Sequence, residues 1–351
     1  MSRDIKVLII LPHLNRGGAE RVLLNYALII KKETGFNVDV LVVGSEGPLY
    51  DEFACSLDFK YLNKRTSRAF IAYLKFLRNN QHSFIITSHY TTALLVQMGK
   101  IFSGCYKHIA RVPGSPVYEK MSSYYGLIRR HLFGWALRQS DVVISQTGHM
   151  KNEINSIFKV NAEKIRVLEN PINEERLNKV RPISFPGVTV VSAGRLHEVK
   201  GFDILFRAIH KLRNKEIEIN CVLIGSDKGQ KSLLLSIIED LNLKDIVSII
   251  PETEELLNYI AGSNGFILSS RSEGLPNVLL EALYLGIPCV STNCFGGVEN
   301  LITHGSNGLI CDISVEGLAD SIEELINTEW NVPPFEKQQD SIINLINYFN
   351  V

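Results

Sequence analysis

Residues 265–286 read GFILSSRSEGLPNVLLEALYLG. The first four are apolar and strand-forming, SSRSEGL is a polar break, and from Pro276 the apolar positions recur at helical spacing until Gly286 ends the run. Proline near the first helical position and glycine just past the last are the expected helix boundaries. A strand, a loop and a helix in that order make half of a parallel α/β unit. The same rhythm fills the chain. The earlier strand candidates are KVLIILP, VDVLVVG, FKYLN, SFIITS, KHIARVP, DVVISQT and IRVLENP. A polar, proline-containing stretch, INEERLNKVRPISFPG, then interrupts it, and VTVVSAG, INCVLIG, VSII, GFILSS, PCVST and GLIC restart it, with helices from about Phe202, Lys228, Thr253, Pro276 and Val315. The expectation is an α/β protein of two doubly wound domains, residues 1–172 and 188–330, joined by a linker at 173–187. Ligands then belong at the carboxyl ends of the strands, in a cleft between domains.

The 351-residue chain is 45% hydrophobic and 21% charged, ordinary for a globular protein that can bury two cores. Its zero net charge hides an asymmetry: 23 Lys and Arg face 15 Asp and Glu up to Glu175, and 14 face 22 beyond it. Between Phe59 and Ser140, 13 basic residues face Glu119 alone, a bias that fits an anionic partner or a merely solvated basic face. Six scattered cysteines (Cys55, Cys105, Cys221, Cys289, Cys294, Cys311) form no C-x-x-C pair and read as buried thiols of a reducing compartment. The apolar run after the basic N-terminus is too short for a signal peptide and lacks a cleavage site. No uncharged stretch approaches the ~20 residues of a membrane span. The reading is a cytoplasmic protein whose membrane contact, if any, is peripheral, on the cytoplasmic face of the inner membrane.

Three stretches could carry chemistry. In the first, Glu281 is the one acid on a helix otherwise apolar around most of its circumference, so it requires a fixed hydrogen-bonding partner, for which ribose hydroxyls are suited. Glu273 lies in the loop ahead of that helix, whose first N–H groups favour phosphate. Spacing alone equally fits one solvent-facing glutamate and one glutamate favoured by the helix dipole. The second, VSAGRLHEVKGFDILFRAI, places Arg195 and Lys200 in one strand-to-helix loop, where a planar fork and a point charge can neutralise a diphosphate. The third, LPHLNRGGAERVLL, puts Gly17 and Gly18 between a strand and a helix, allowing close backbone approach to a ligand. It lacks G-x-G-x-x-G, which counts against a nicotinamide enzyme. No D-x-D occurs, so a metal-bridged diphosphate finds no support.

Together GGAERV, GRLHEVKGFD, IGSDKGQKSLL, SSRSEGLPNVLLEAL and the following G-x-P-C-V-S-T-N-C-x-G-G-x-E resemble, in order and over nearly the whole chain, the retaining glycosyltransferases of family 4. The resemblance is closest to the bacterial branch that builds lipid-linked oligosaccharides, capsules and lipopolysaccharide. It implies the GT-B fold, two facing Rossmann-like domains, with residues 331–351 returning as a helix toward the N-terminal domain. It further implies transfer of a hexose or N-acetylhexosamine from a nucleotide sugar, UDP-linked by preference, to a glycan or polyprenyl-diphosphate-linked acceptor, without metal or other cofactor and with no nucleic acid involved. Arg195 and Lys200 would hold the diphosphate and Glu281 the ribose. Glu273 would face sugar hydroxyls beside the backbone of Gly274, Leu275 and Asn277, and Gly17 and Gly18 would close over the donor. Ile250 to Glu252 stand where the family holds the base, with Pro251 in place of a usual glycine.

The acceptor half is less readable. His89, after the SFIITS strand, fits an acceptor or sugar contact with a catalytic role, and equally a structural histidine. Arg111 matches a strand-end arginine of relatives, although VPG replaces the histidine-containing turn that often follows. NKRTSRAFIAYLKFLRNN and GLIRRHLFGWALRQS mix basic and aromatic residues at helical spacing, suited to an anionic lipid surface or to ordinary solvated helices. Two other functions fit the same residues: a nucleotide-sugar epimerase of the same fold, and a non-catalytic subunit that binds the nucleotide sugar for a partner transferase.

Overall fold

The structure, a computed structural model, describes residues 5–103, 105–114, 124–294, 297–334 and 342–348. The chain divides into two compact units, Met1–Pro171 with Gln338–Val351, and Ile172–Lys337.

Unit 1 is built on seven parallel strands, β1 (Lys6–Leu11), β2 (Asn37–Val42), β3 (Asp58–Tyr61), β4 (Phe84–Thr87), β5 (Lys107–Arg111), β6 (Val142–Ser145) and β7 (Ile165–Val167), in the order β3-β2-β1-β4-β5-β6-β7. Its helices are α1 (Gly18–Thr34), α2 (Tyr50–Phe53), α3 (Phe70–Asn79), α4 (Tyr90–Ser103), α5 (Tyr124–Gln139) and α6 (Gly148–Phe158). Alternate residues of β1 show why the strands read as continuous apolar runs. Val7, Ile9 and Leu11 pack under α1, whereas Leu8 and Ile10 pack under α3 and α4 with Tyr73, Leu77, Leu95 and Val96. A parallel sheet covered on both faces has no solvent side to alternate with.

Unit 2 opens with the short helix α7 (Glu174–Leu177). It then carries β8 (Thr189–Ala193), α8 (Phe202–Asn214), β9 (Asn220–Ile224), α9 (Lys231–Asp240), β10 (Val247–Ile250), α10 (Leu256–Ala261), β11 (Gly265–Leu268), α11 (Asn277–Tyr284), β12 (Cys289–Thr292), β13 (Gly308–Cys311) and α12 (Val315–Asn327). Its six strands are parallel, in the order β10-β9-β8-β11-β12-β13. In both sheets the order reverses beside the first strand, between β1 and β4 and between β8 and β11. The loops leaving β8 and β11 are therefore neighbours at a topological switch point.

Three expectations are revised. Residues 173–187 are part of unit 2: Leu177 is buried in its core, and Ile172, Val180 and Phe185 pack against the same cluster. The apolar residues sprinkled through that polar stretch are what anchor it. The helix expected from Lys228 starts at Lys231, because the Asp227 carboxylate accepts hydrogen bonds from the backbone N–H groups of Gly229, Gln230 and Lys231 and holds a turn there. The helix expected from Thr253 starts at Leu256. Beyond unit 2, α13 (Ile342–Tyr348) adds Ile342, Leu345 and Ile346 to the core under α1.

Candidate active site

The two loops at the switch point of unit 2 are stitched together. The Arg271 N–H donates to the Val199 carbonyl (2.8 Å), the Ser269 hydroxyl to the Lys200 carbonyl (3.0 Å), and Arg271 Nη1 to the Glu198 carbonyl (2.7 Å). The Arg271 guanidinium also grips both carboxylate oxygens of Asp203 (2.8 and 2.7 Å), a paired geometry that fixes direction as well as distance. Gly201, at φ +63°, takes the left-handed conformation that starts α8. A Cβ there would lie 2.0 Å from the Ser269 carbonyl oxygen, so only glycine lets the loops meet.

The stitching brings Lys200 to Glu273. Lys200 Nζ donates to Glu273 Oε1 at 2.6 Å, and the two side chains are only 15% and 11% exposed. The Ser270 hydroxyl also donates to Oε1. Both bonds fall on one oxygen, and no described residue donates to Oε2, which leaves it available to a ligand hydroxyl. Such a pair is rigid and nearly desolvated, the condition under which charge acts strongly on a bound ligand. Cys294 lies close by, with burial pushing its thiol up to about 12, so it is a neutral neighbour. Arg195, on the same loop as Lys200, is exposed and forms no bond with a described residue.

Pro276 is the N-cap of α11 and lies just outside the helix. Leu275 is buried in the core, so any contact it makes with a ligand is through its backbone. On the helix, Glu281 Oε1 accepts from Arg176 Nη1 at 2.7 Å, with side-chain exposures of 17% and 21%. The fixed partner expected for Glu281 is thus a protein residue, present before any ribose arrives. Arg176 was missed in the sequence because it lies 105 residues away in the stretch read as linker. Arg271, Asp203 and Ser270 were also passed over; the alternation of charge between the two loops was the only available signal. Ile250 ends β10, two strands from β8, and Glu252 beyond it is exposed.

The unit 1 candidates sit in different chemistry. Gly17 is the N-cap of α1, and a Cβ there would come 2.0 Å from Glu20 Oε2. The room beside the paired glycines is filled by the nearly buried Glu20 side chain, which also approaches His13 Nδ1 at 3.6 Å. His89 precedes α4. Its Nδ1 accepts from the Thr91 N–H (3.4 Å) and bonds the Thr91 hydroxyl (2.8 Å), and its ring lies on Tyr90. Burial, reinforced by His13 and Arg129 nearby, pushes it down to about 4. It is therefore neutral near pH 7, with Nε2 carrying the proton, a donor and not a base. Arg111 is 2% exposed and donates to Ser88 Oγ (3.0 Å) and Asn170 Oδ1 (2.6 Å). Its buried Nε finds no hydrogen-bond partner among the described residues. Burial lowers its proton affinity, with Tyr26 and Glu20 opposing. The expected acceptor contact is in this structure an internal strap that ties the ends of β4 and β5 to the segment after β7.

Two parallel Rossmann-like sheets with helices on both faces, carried in succession by one chain, are the GT-B architecture. Anabaena HepE in complex with UDP-glucose shares the fold at a TM-score of 0.75, with 18% identity over 92% of this chain and 90% of that one. The family model described as Glycosyltransferase Family 4 matches residues 16–176, and that described as Glycosyl transferases group 1 matches residues 174–344. The chain belongs to this glycosyltransferase family. An uncharacterized glycosyltransferase of Haemophilus influenzae is 27% identical over 328 residues, 89% of this chain and 87% of the relative. The N-acetylgalactosamine-N,N'-diacetylbacillosaminyl-diphospho-undecaprenol 4-alpha-N-acetylgalactosaminyltransferase of Campylobacter jejuni is 23% identical over the same shares.

Proposed function

We propose that the protein is a retaining, metal-independent transferase that moves a hexose or N-acetylhexosamine from a nucleotide-diphosphate sugar to a glycan or lipid-linked acceptor in surface polysaccharide biosynthesis. The Lys200–Glu273 pair at the switch point carries the reading. A UDP-sugar donor is favoured, since HepE has been solved with UDP-glucose. A lipid-linked acceptor is favoured by the name of the Campylobacter relative.

In this reading Arg195 and Lys200 hold the diphosphate, Glu273 accepts from sugar hydroxyls through Oε2, and Glu281, steadied by Arg176, accepts from the ribose. Ile250 and Glu252 border the base, and the backbone of Gly274, Leu275 and Asn277 adds contacts to the donor. As the bond from the anomeric carbon to the phosphate oxygen breaks, the acceptor hydroxyl oxygen bonds to that carbon from the same face. Its proton passes to a phosphate oxygen of the leaving diphosphate. Lys200 and Arg195 offset the charge gathering there, the part that a metal ion would otherwise play. Unit 1 is left to bind the acceptor, with His89 Nε2–H as a donor.

Incubation with a panel of radiolabelled nucleotide sugars and a bacterial lipid extract tests the reading. Label transferred into lipid or glycan is expected, undiminished by EDTA. Label in a new soluble sugar nucleotide would make the protein an epimerase, and binding without turnover would make it a donor-binding subunit.

A further inference from the structure

Seven of the eleven exposed large apolar side chains among the described residues lie on α3, α4 and α5, and none lies on α1. They are arranged in stripes. Ile101 and Phe102 follow Met98 by three and four residues on α4, and Leu132 follows Ile128 by four on α5. Ile71 is 80% exposed, Ile101 71% and Phe102 67%, values far above those of side chains that merely border a core. The three helices are neighbours on one face of the unit 1 sheet. Phe70 of α3 meets Phe102 of α4 edge to face at 5.8 Å, and Arg129 of α5 covers Tyr90 of α4 at 4.7 Å. Spread apolar exposure of this kind on one layer of a globular unit marks an interaction surface.

The charge around it selects the partner. Lys64, Arg65, Arg68, Lys75 and Arg78 are exposed beside these apolar groups and form no ion pair with a described residue. None of the three helices contains an acidic residue. Two copies meeting through this face would set like charges against each other. A surface of anionic headgroups over hydrocarbon meets both demands, the phosphates taking the lysines and arginines and the acyl boundary taking the isoleucine and phenylalanine side chains.

We propose that the α3–α4–α5 face of unit 1 docks on an anionic phospholipid bilayer, with Ile71, Ile101 and Phe102 entering the interface. No described helix is long and apolar enough to cross a membrane, so the contact lies in the surface plane. The attachment is independent of the donor chemistry, and donor hydrolysis or UDP binding can be followed separately.

The test is flotation of the purified full chain with vesicles of phosphatidylglycerol and of phosphatidylcholine. Binding is expected to the first and not to the second, and to fall with salt. Arg65→Glu with Arg68→Glu should weaken it by about 30-fold or more, from roughly 1 kcal/mol per basic residue near the surface. Ile71→Ser with Phe102→Ser should weaken it about tenfold or more while circular dichroism stays unchanged. Because these positions are exposed, neither variant removes core packing. Equal binding to both vesicle types, no binding to either, or wild-type binding in both variants would overturn the proposal. So would concentration-dependent self-association that the same variants abolish, which would make the face an interface between copies.

Discussion

The loops at the strand ends of the two units make opposite use of polar residues. In unit 2, charged groups face one another at the surface of the switch point: Lys200 with Glu273, Arg176 with Glu281, Arg271 with Asp203. In unit 1, polar groups at comparable positions are folded inward. Arg111, at the carboxyl end of β5, is buried between Ser88 and Asn170. Nearer the amino end of the same strand, His108 is fully buried, held by Thr87, Gln97 and Ser140 and pushed down to about 3 by desolvation. One unit keeps charge ready for a ligand; the other spends its polar groups on its own framework. On the proposed reading the difference has a physical reason: the donor's diphosphate has a fixed charge that its site must match, whereas the hydroxyl that receives the sugar is neutral.

The contrast predicts where mutations will hurt activity and where they will hurt stability. Lys200→Ala and Glu281→Ala are expected to reduce donor turnover by about 10²–10³-fold or more, with folding retained, because on the proposed reading each removes a group that meets charge or hydroxyls of the donor. Steady-state kinetics on purified folded protein check this, and full activity in both variants would remove the site assignment. Arg176→Ala should do less, weakening UDP binding by roughly 10- to 100-fold, the scale of a charge-assisted hydrogen bond, because it acts through Glu281. Calorimetry with UDP and with 2',3'-dideoxy-UDP distinguishes the routes: the Arg176 effect should vanish with the dideoxy analogue. Gly201→Ala should lower stability by about 1–3 kcal/mol or more, through left-handed strain and the clash with Ser269, measured by urea unfolding.

The pH response of unit 1 tests the inward-facing side of the comparison. His89 is pushed down to about 4 and His108 to about 3, both below the ordinary histidine value of about 6.5. The unfolded chain binds the extra protons, so the stability these groups contribute is complete above about pH 6.5 and lost as pH falls through their folded values. Asp39, pushed down to about 2 chiefly by its hydrogen bond with His82, adds stability that is complete above about pH 4 and lost toward pH 2. The urea midpoint should therefore fall steadily from pH 7 to 4. His89→Gln should flatten part of that slope; an unchanged slope in the variant would mean that His89 is protonated normally.

How much was readable in advance follows the same division. The strands were legible because a sheet covered on both faces demands unbroken apolar runs, as in Val7–Leu11. Glu281 stood out because an acid in an apolar helix needs a reason, and Lys200 because it follows a strand. Arg176 was not legible, since its meaning depends on a carboxylate 105 residues away. Nor was the inward turn of Arg111, because a strand-end arginine reads the same whether it points to solvent or to Asn170. The pattern on α4 was equally silent: Leu95 is buried and Ile101 exposed, and only packing against α3 and α5 separates them.

The return of α13 to the core under α1 has a bearing on how the protein is made. Because Ile342, Leu345 and Ile346 leave the ribosome only after every strand of unit 2, the half of the molecule translated first is the half completed last. Until then the apolar side chains that these three cover beside α1 stay unsealed in the nascent chain, where a chaperone can bind and where a stop codon between residues 330 and 342 would do its damage.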